Sequence, residues 1–211
     1  MTVKLVAQTT HPTMSPEEFI AYCARVSNTG NQANHETSPK LLSYLKKNQH
    51  WSPFEMASAT LEITTTRDIA RQILRHRSFS FQEFSQRYAN PFEGELGMVV
   101  REARMQDQKN RQNSIKTNNS ILEQVWVDMQ VDVQRAAKLA YEWAIDAGVA
   151  KEQARAVLPE GMMQSRLYMS GTIRSWIHYT ELRSEHGTQL EHTQIARDCA
   201  ATLKEHYPSL F

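Results

Sequence analysis

Residues 75–88 read RHRSFSFQEFSQRY, and this stretch concentrates the side chains best suited to chemistry. Arg75, His76 and Arg77 come first, and Glu83, Ser85 and Arg87 follow at alternate positions. An arginine is not discharged near neutral pH, and its planar fork matches phosphate or carboxylate. Gln72 lies three residues before Arg75 and four before His76, so on a helix they share a face. Further on, period-two spacing sets Glu83, Ser85 and Arg87 on one side of an extended segment. Acceptor, hydroxyl and cation in a row suit a ligand with amide edges and a phosphate, such as a nucleotide. The same spacing admits a purely structural arrangement, with Arg75, Arg77 and Arg87 pairing with Glu83, Asp68 and Glu55 on a solvated face. His76, flanked by two cations, is a poor metal ligand or general base, and its plain reading is a satisfied structural histidine.

These side chains need a scaffold. A chain of 211 residues is long enough for one good core and short for two, so a single domain over 1–211 is expected. Hydrophobic residues at 40% and charged residues at 22% fit a soluble globular protein. The formal net charge of +1 argues against a nucleic-acid binder and makes any positive field local. Cys23 and Cys199 are the only cysteines, which excludes a disulfide framework and fits a reducing cytosol. The N-terminal residues show no cleavage signal, and no apolar run approaches membrane-spanning length. A cytoplasmic protein without a membrane partner is expected.

The patterning predicts an α+β fold, mainly helical, with a few strands in one antiparallel sheet. A strand is expected over 3–7. Ser15-Pro16-Glu17-Glu18 caps a helix reaching about Val26. A second helix follows over 38–48, then a compact turn at His50–Glu55. Residues 56–66 read as a strand, 67–76 as a helix, 79–88 as extended or irregular, and 98–104 as another strand. The polar 106–119 segment reads as an exposed loop. A long helix over 120–147 is closed by Gly148, and a short one over 151–157 is stopped by Pro159. A strand over 162–170 and helices over 172–183 and 188–206 complete the chain. Trp126, Tyr141 and Trp143 on the long helix read as core or subunit interface.

RHRSFSFQEFSQRY resembles the signature of the flavin-dependent thymidylate synthases: Arg-His-Arg, a seven-residue spacer, then Ser, here Arg75-His76-Arg77 with Ser85. Gln82 stands where the family usually has Asn. HWSPFE at His50 resembles the family's His-x-Thr/Ser-Pro-Phe-Glu turn, with Met56 in place of the usual following His. ARVS at Ala24–Ser27, ARAVLP at Ala154–Pro159 and TIRSWIHYTELR at Thr172–Arg183 resemble three further family elements in the right order. The resemblance implies a homotetramer-forming α+β fold with sites at subunit junctions. It implies that dUMP becomes dTMP, with methylenetetrahydrofolate supplying the carbon, FAD the reducing equivalent and NADPH reducing the flavin, and with tetrahydrofolate released. No cysteine nucleophile is used, and both thiols here lie away from every motif. The setting implied is the cytoplasm of a bacterial cell or a virus-infected host cell.

By the same resemblance, Gln72, Arg75, Glu83, Ser85 and Arg87 are dUMP contacts, with Arg87 and Arg155 as phosphate clamps. Ser85 binds rather than attacks, because a lone serine without a base is not activated. Arg183 contacts the uracil ring and stabilises negative charge there as C5 becomes nucleophilic, which makes it the catalytic residue. Flavin contacts are Ser27, His50, Ser52, Arg75, His76, Arg77 and Glu83 from the first half, and Thr172, Arg174 and His178 from the C-terminal helix. Thr172 and His178 both depart from the Asn found in family members. A Gly-rich dinucleotide fingerprint is absent, so the nicotinamide cofactor would visit the flavin without a Rossmann domain.

Two readings from other classes remain open on residues alone. Phe79, Phe81, Phe84 and Tyr88 interleave with cations as RNA-stacking platforms would. His186, Glu191 and His192 could hold a metal, although they do not show a zinc spacing on one helix face. No metal is expected.

Overall fold

Alternation in residues 58–66 sends Ala59, Leu61 and Ile63 into the core and leaves Thr60, Glu62 and Thr64 on the other face. This segment is the centre of a computed structural model that describes every residue except His186. Along the chain run β1 (Thr2–Gln8), α1 (Pro16–Ala24), α2 (Ser38–Lys47), β2 (Ser58–Thr66), α3 (Arg67–Ile73), β3 (Ser80–Glu83), β4 (Arg104–Gln106) and β5 (Ser114–Lys116). They are followed by α4 (Ser120–Asp146), α5 (Lys151–Ala154), β6 (Gln164–Thr172), α6 (Ile173–Ser184) and α7 (Leu190–Lys204). The main sheet is antiparallel in the order β1-β2-β6-β3. Strands β2 and β6 pair without a break from Ser58↔Thr172 to Thr66↔Gln164.

Helices α1, α2, α6 and α7 supply one wall of the core. Ile20, Leu42, Phe54, Trp176, Ile195 and Tyr207 meet the sheet's Leu61, Ile63 and Met169 there, all fully buried. The opposite sheet face is polar: Lys4, Glu62, Tyr168 and Gln82 lie in one cross-strand row. A smaller core forms where Tyr141 and Ala144 of α4 meet Ala154, Leu158 and Met163. The rest of α4 carries exposed apolar side chains, among them Ile121, Val125, Met129 and Leu139. Of its aromatic set only Tyr141 is buried; Trp126 and Trp143 are exposed.

Three expectations are corrected. The helix expected over 67–76 stops at Ile73, because the chain tightens: His76 N–H donates to the Ile73 carbonyl and Phe79 N–H to the His76 carbonyl. The strand expected over 98–104 reduces to a bridge between Met98 and Met163. The 106–119 loop instead holds most of a two-stranded ribbon, β4 with β5, separate from the main sheet. Asp107 organises its turn by accepting from the backbone of Lys109 and Asn110 and from the Asn113 amide.

α3 and α6 each begin on the residue after a strand ends. Thr172 caps α6, its hydroxyl accepting from Ser175 N–H. Phe79 packs between β6 and α6, edge-on to Trp176 with ring centroids 4.7 Å apart. It fits because residue 171 is glycine: a Cβ there would fall 2.5 Å from the Phe79 ring. Gly171→Ala should therefore displace the ring and destabilise the fold by about 1–3 kcal/mol. The penalty should shrink in a Phe79→Leu background, as read by denaturant unfolding of the four variants. An equal penalty in both backgrounds would place the clash elsewhere.

Candidate active site

The C-terminal half of α6 meets the turn after α3 through one bond. Arg183 Nε donates to His76 Nε2 at 2.8 Å. A guanidinium nitrogen always carries its proton, so Nε2 accepts and the neutral imidazole keeps its hydrogen on Nδ1. Burial, then the Arg183 and Arg75 cations, push the His76 pKa down to about 4. Tyr179 packs edge-on against the same ring at 4.9 Å. With Nε engaged, the two terminal nitrogens of Arg183 have no hydrogen bond among the described residues and remain available to a ligand.

Behind this pair lies His192, fully buried on α7. Its ring nitrogens face the Tyr179 hydroxyl at 3.2 Å and Gln72 Oε1 at 3.3 Å. Burial, then Arg183 and His76, push its pKa down to about 3. Gln72 Nε2 donates onward to Gln189 Oε1 at 2.8 Å.

The second group gathers around β3. Glu83 Oε1 accepts from the Ser165 hydroxyl at 2.8 Å, and its carboxylate pairs with buried Arg67 and half-exposed Arg71. Ser85 and Arg87 line an open cleft of about 450 Å³ with Tyr88, Ala150, Lys151 and Glu152. Arg87 pairs with Glu152 at 3.2 Å across exposed surface, a contact worth at most about 1 kcal/mol. Arg155 lies close enough to Arg67 to repel it, and has no ion pair among the described residues.

The third group surrounds the start of α6. Arg174 pairs with Glu55. His178 packs on Trp51 with ring centroids 4.3 Å apart, and His50 stands edge-on to Tyr44 at 6.1 Å. Ser52 opens the one-turn 3-10 helix Ser52–Glu55, and Thr172 is engaged as the cap of α6. Ser175 Oγ donates to the Ser78 carbonyl, which ties this helix to the arginine-rich turn. Ser27 is exposed just past α1, and no hydrogen bond, ion pair or ring contact among the described residues joins it to the other candidates.

The purely structural arrangement of the arginines does not occur. Glu83 is held by Arg67 and Arg71, Asp68 by Arg101, and Glu55 by Arg174. Arg75 and Arg77 are exposed and have no ion pair among the described residues. The metal reading loses two of its groups: Glu191 binds Arg104, and His192 is enclosed in the core. His186 lies outside the described residues. Among the described residues no cluster of His, Cys, Asp and Glu could hold a metal ion.

Sequence reasoning missed Arg67, Arg71 and Lys151. The first two were legible, since Arg67, Arg71 and Arg75 recur every fourth residue. Lys151 gave no signal; only folding sets it beside Ser85 and Arg87.

The profile of the family described as thymidylate synthase complementing protein matches residues 4–209. The chain belongs to the flavin-dependent thymidylate synthase family. It is 48% identical over 194 residues to the probable flavin-dependent thymidylate synthase of Paramecium bursaria Chlorella virus 1, covering 92% of this chain and 88% of the relative. It is likewise 48% identical over 197 residues to the flavin-dependent thymidylate synthase of Synechocystis sp., covering 93% and 88%. In structure it resembles the UMP/dUMP methylase PolB from Streptomyces cacaoi bound with 5-Br dUMP, with a TM-score of 0.82, 26% identity, and 99% and 92% of the two chains covered. The same protein bound with 5-Br UMP gives a TM-score of 0.83. Members of this family are enzymes, and the signature Arg75–Ser85 sits at the meeting of α3, β3 and α6.

The two depressed histidines set a pH dependence. In the unfolded chain each takes up a proton near pH 6.5, whereas the folded protein resists until about 4 for His76 and about 3 for His192. The unfolded state thus binds more protons across this window, and stability must fall as pH drops from about 6.5 toward 4. A melting midpoint followed from pH 7 to 4 should decline, and His192→Gln should make the decline shallower. An unchanged slope in the variant would refute the neutral, buried state of His192.

Proposed function

We propose that this enzyme converts dUMP to dTMP by reductive methylation, with methylenetetrahydrofolate as carbon donor, FAD as the bound redox group and NADPH as its reductant, releasing tetrahydrofolate. The observation that carries this reading is the set of arginines left without carboxylate partners around the family signature: Arg75, Arg77 and Arg155, with the free fork of Arg183. Unpaired cations gathered in one region are matched by the phosphates of a nucleotide and of a flavin dinucleotide.

The residues present fit FAD. Arg75 and Arg77 supply charge for its pyrophosphate, and Ser52, His50, Arg174 and His178 supply polar groups around the Trp51 ring. When bound, the flavin would supply the reducing equivalent. Glu83, the remaining flavin candidate on β3, has both carboxylate oxygens engaged by Arg67, Arg71 and Ser165.

For the nucleotide, Arg87 and Arg155 hold the phosphate with Ser85, and the weak Arg87–Glu152 pair is easily exchanged for it. Gln72 offers its amide. Arg183 is fixed by His76 through Nε and presents its terminal N–H groups to the uracil carbonyl and N3, where negative charge grows as C5 becomes nucleophilic. A neutral His76 is required, since a second cation would repel the guanidinium. Neither thiol is set up to attack: burial raises the pKa of both Cys23 and Cys199, and Cys199 is wholly enclosed. Ser85 has no base bonded to its hydroxyl among the described residues.

Most of these groups are exposed in the single chain, as is the apolar stripe of α4. A homotetramer whose neighbouring copies complete each site accounts for both features. Among the described residues no helix is long and apolar enough to cross a membrane.

The test is the visible spectrum of FAD-loaded protein under anaerobic conditions, titrated with NADPH with and without dUMP, followed by product analysis with methylenetetrahydrofolate. Bleaching whose rate depends on dUMP, and formation of dTMP, are expected. UMP is run in parallel because PolB has been seen with 5-Br UMP. A folded protein that takes up no FAD would sink the proposal. Arg183→Ala should still bind dUMP and FAD but lose roughly 10²-fold in kcat; unchanged turnover would reject its catalytic role. Cys23→Ala combined with Cys199→Ala should retain dTMP formation, and loss of product with fold and flavin intact would point to a cysteine nucleophile.

A further inference from the structure

We propose that His192 is a positioning residue for the nucleotide site, locking the side-chain amide of Gln72 in one orientation through a one-way chain of hydrogen bonds from Tyr179 to Glu191. The proposal rests on the reading of Gln72 as a dUMP contact.

The direction of the chain follows from its far end. Arg104 donates to Glu191 Oε1, and Gln189 Nε2 donates to Glu191 Oε2 at 2.9 Å. Burial acts to raise the Glu191 pKa, but the bonds from Arg104 and Gln189 hold it below the usual carboxylate range, so the group only accepts. Gln189 must then turn its NH2 toward Glu191 and its carbonyl toward Gln72. Gln72 Nε2 accordingly donates to Gln189 Oε1 at 2.8 Å, and Gln72 Oε1 is left facing His192 Nδ1 at 3.3 Å. A carbonyl oxygen cannot donate, so His192 Nδ1 carries the hydrogen. Being neutral, the ring must accept at Nε2, where the Tyr179 hydroxyl lies at 3.2 Å. Turning Gln72 over would set two acceptors face to face at Gln189 or at Glu191.

His192 is 0% and Tyr179 1% exposed, so no solvent is at hand to replace a lost partner. The result is a Gln72 amide with one N–H held in a fixed direction and available to a ligand. Tyr179 also packs on His76, the residue that holds Arg183. One buried tyrosine thus supports both the binding amide and the catalytic guanidinium.

The experiment uses the FAD-loaded protein, with dUMP affinity read from the change it causes in the flavin spectrum. Tyr179→Phe, which removes only a hydroxyl, His192→Leu and Gln72→Ala are compared singly and in pairs. Tyr179→Phe and His192→Leu should each weaken dUMP binding about 3- to 10-fold, with FAD affinity unchanged, and should add nothing in the Gln72→Ala background. Imidazole nitrogen shifts in 15N-histidine-labelled protein should show His192 as the Nδ1–H tautomer, and the tautomer should persist in Tyr179→Phe because Gln72 Oε1 fixes it. Full dUMP affinity in Tyr179→Phe, or losses that add fully to Gln72→Ala, would overturn the proposal. An Nε2–H tautomer would overturn the chain while leaving the nucleotide reading intact. The stated tautomer with undiminished dUMP affinity in Gln72→Ala would overturn the proposal by removing Gln72 from the nucleotide site.

Discussion

The site depends on the pairing of β2 with β6. Nine residues of each strand are matched without a slip, from Ser58↔Thr172 to Thr66↔Gln164. Because the strands are antiparallel, α3 starts at one end of the ladder and α6 at the other, with no loop between strand and helix. The strand pair is roughly 30 Å long, α3 about 10 Å and α6 about 18 Å. The helices together nearly cover the strand length, and their far ends are joined by the Arg183–His76 bond at 2.8 Å. A one-residue slip would turn Leu61, Ile63 and Met169 out of the core and separate the same helix ends. Glycine at 171 protects this arrangement by leaving room for Phe79 between strand and helix.

Charge is distributed unevenly over this frame. With a net charge of +1 the chain has almost as many acids as bases, yet the acids in and around the signature are held by arginines from outside it. Asp68, Glu55 and Glu191 each hold an arginine from a distant segment, and Glu83 is shared by two from α3. Around the signature, Arg75, Arg77, Arg155 and Arg183 have no ion pair among the described residues. Their mutual repulsion is visible at the neighbours: His76 is pushed down to about 4 partly by Arg183 and Arg75, and Arg67 is lowered partly by Arg71 and Arg155. Such a field is relieved when a polyanion binds.

The sequence was most readable where the signal was local. The capping box at Ser15–Glu18, the β-branched run of β2 and the apolar face of α2 all form close to the expected limits. The arginine-rich motif was legible because residue type and spacing carry its chemistry, and the turn at His50–Glu55 because its residues are so particular. Elsewhere the deciding forces were tertiary. The β4–β5 ribbon has almost no apolar pattern and depends on the side-chain turn at Asp107. Helix α3 ends early because Phe79 must reach Trp176. Lys151 and the Tyr179–His192–Gln72 chain bring together residues from three helices and could not be seen from spacing along any one of them.

The most direct test of the account is a crystal structure of the protein with both dUMP and FAD bound. The account predicts the dUMP phosphate on Arg87 and Arg155 with Glu152 displaced from Arg87, and flavin phosphates against Arg75 and Arg77. Uracil should lie at the terminal nitrogens of Arg183, whose Nε remains on His76. Ligands bound elsewhere, with these arginines still facing solvent and Arg87 still on Glu152, would contradict it.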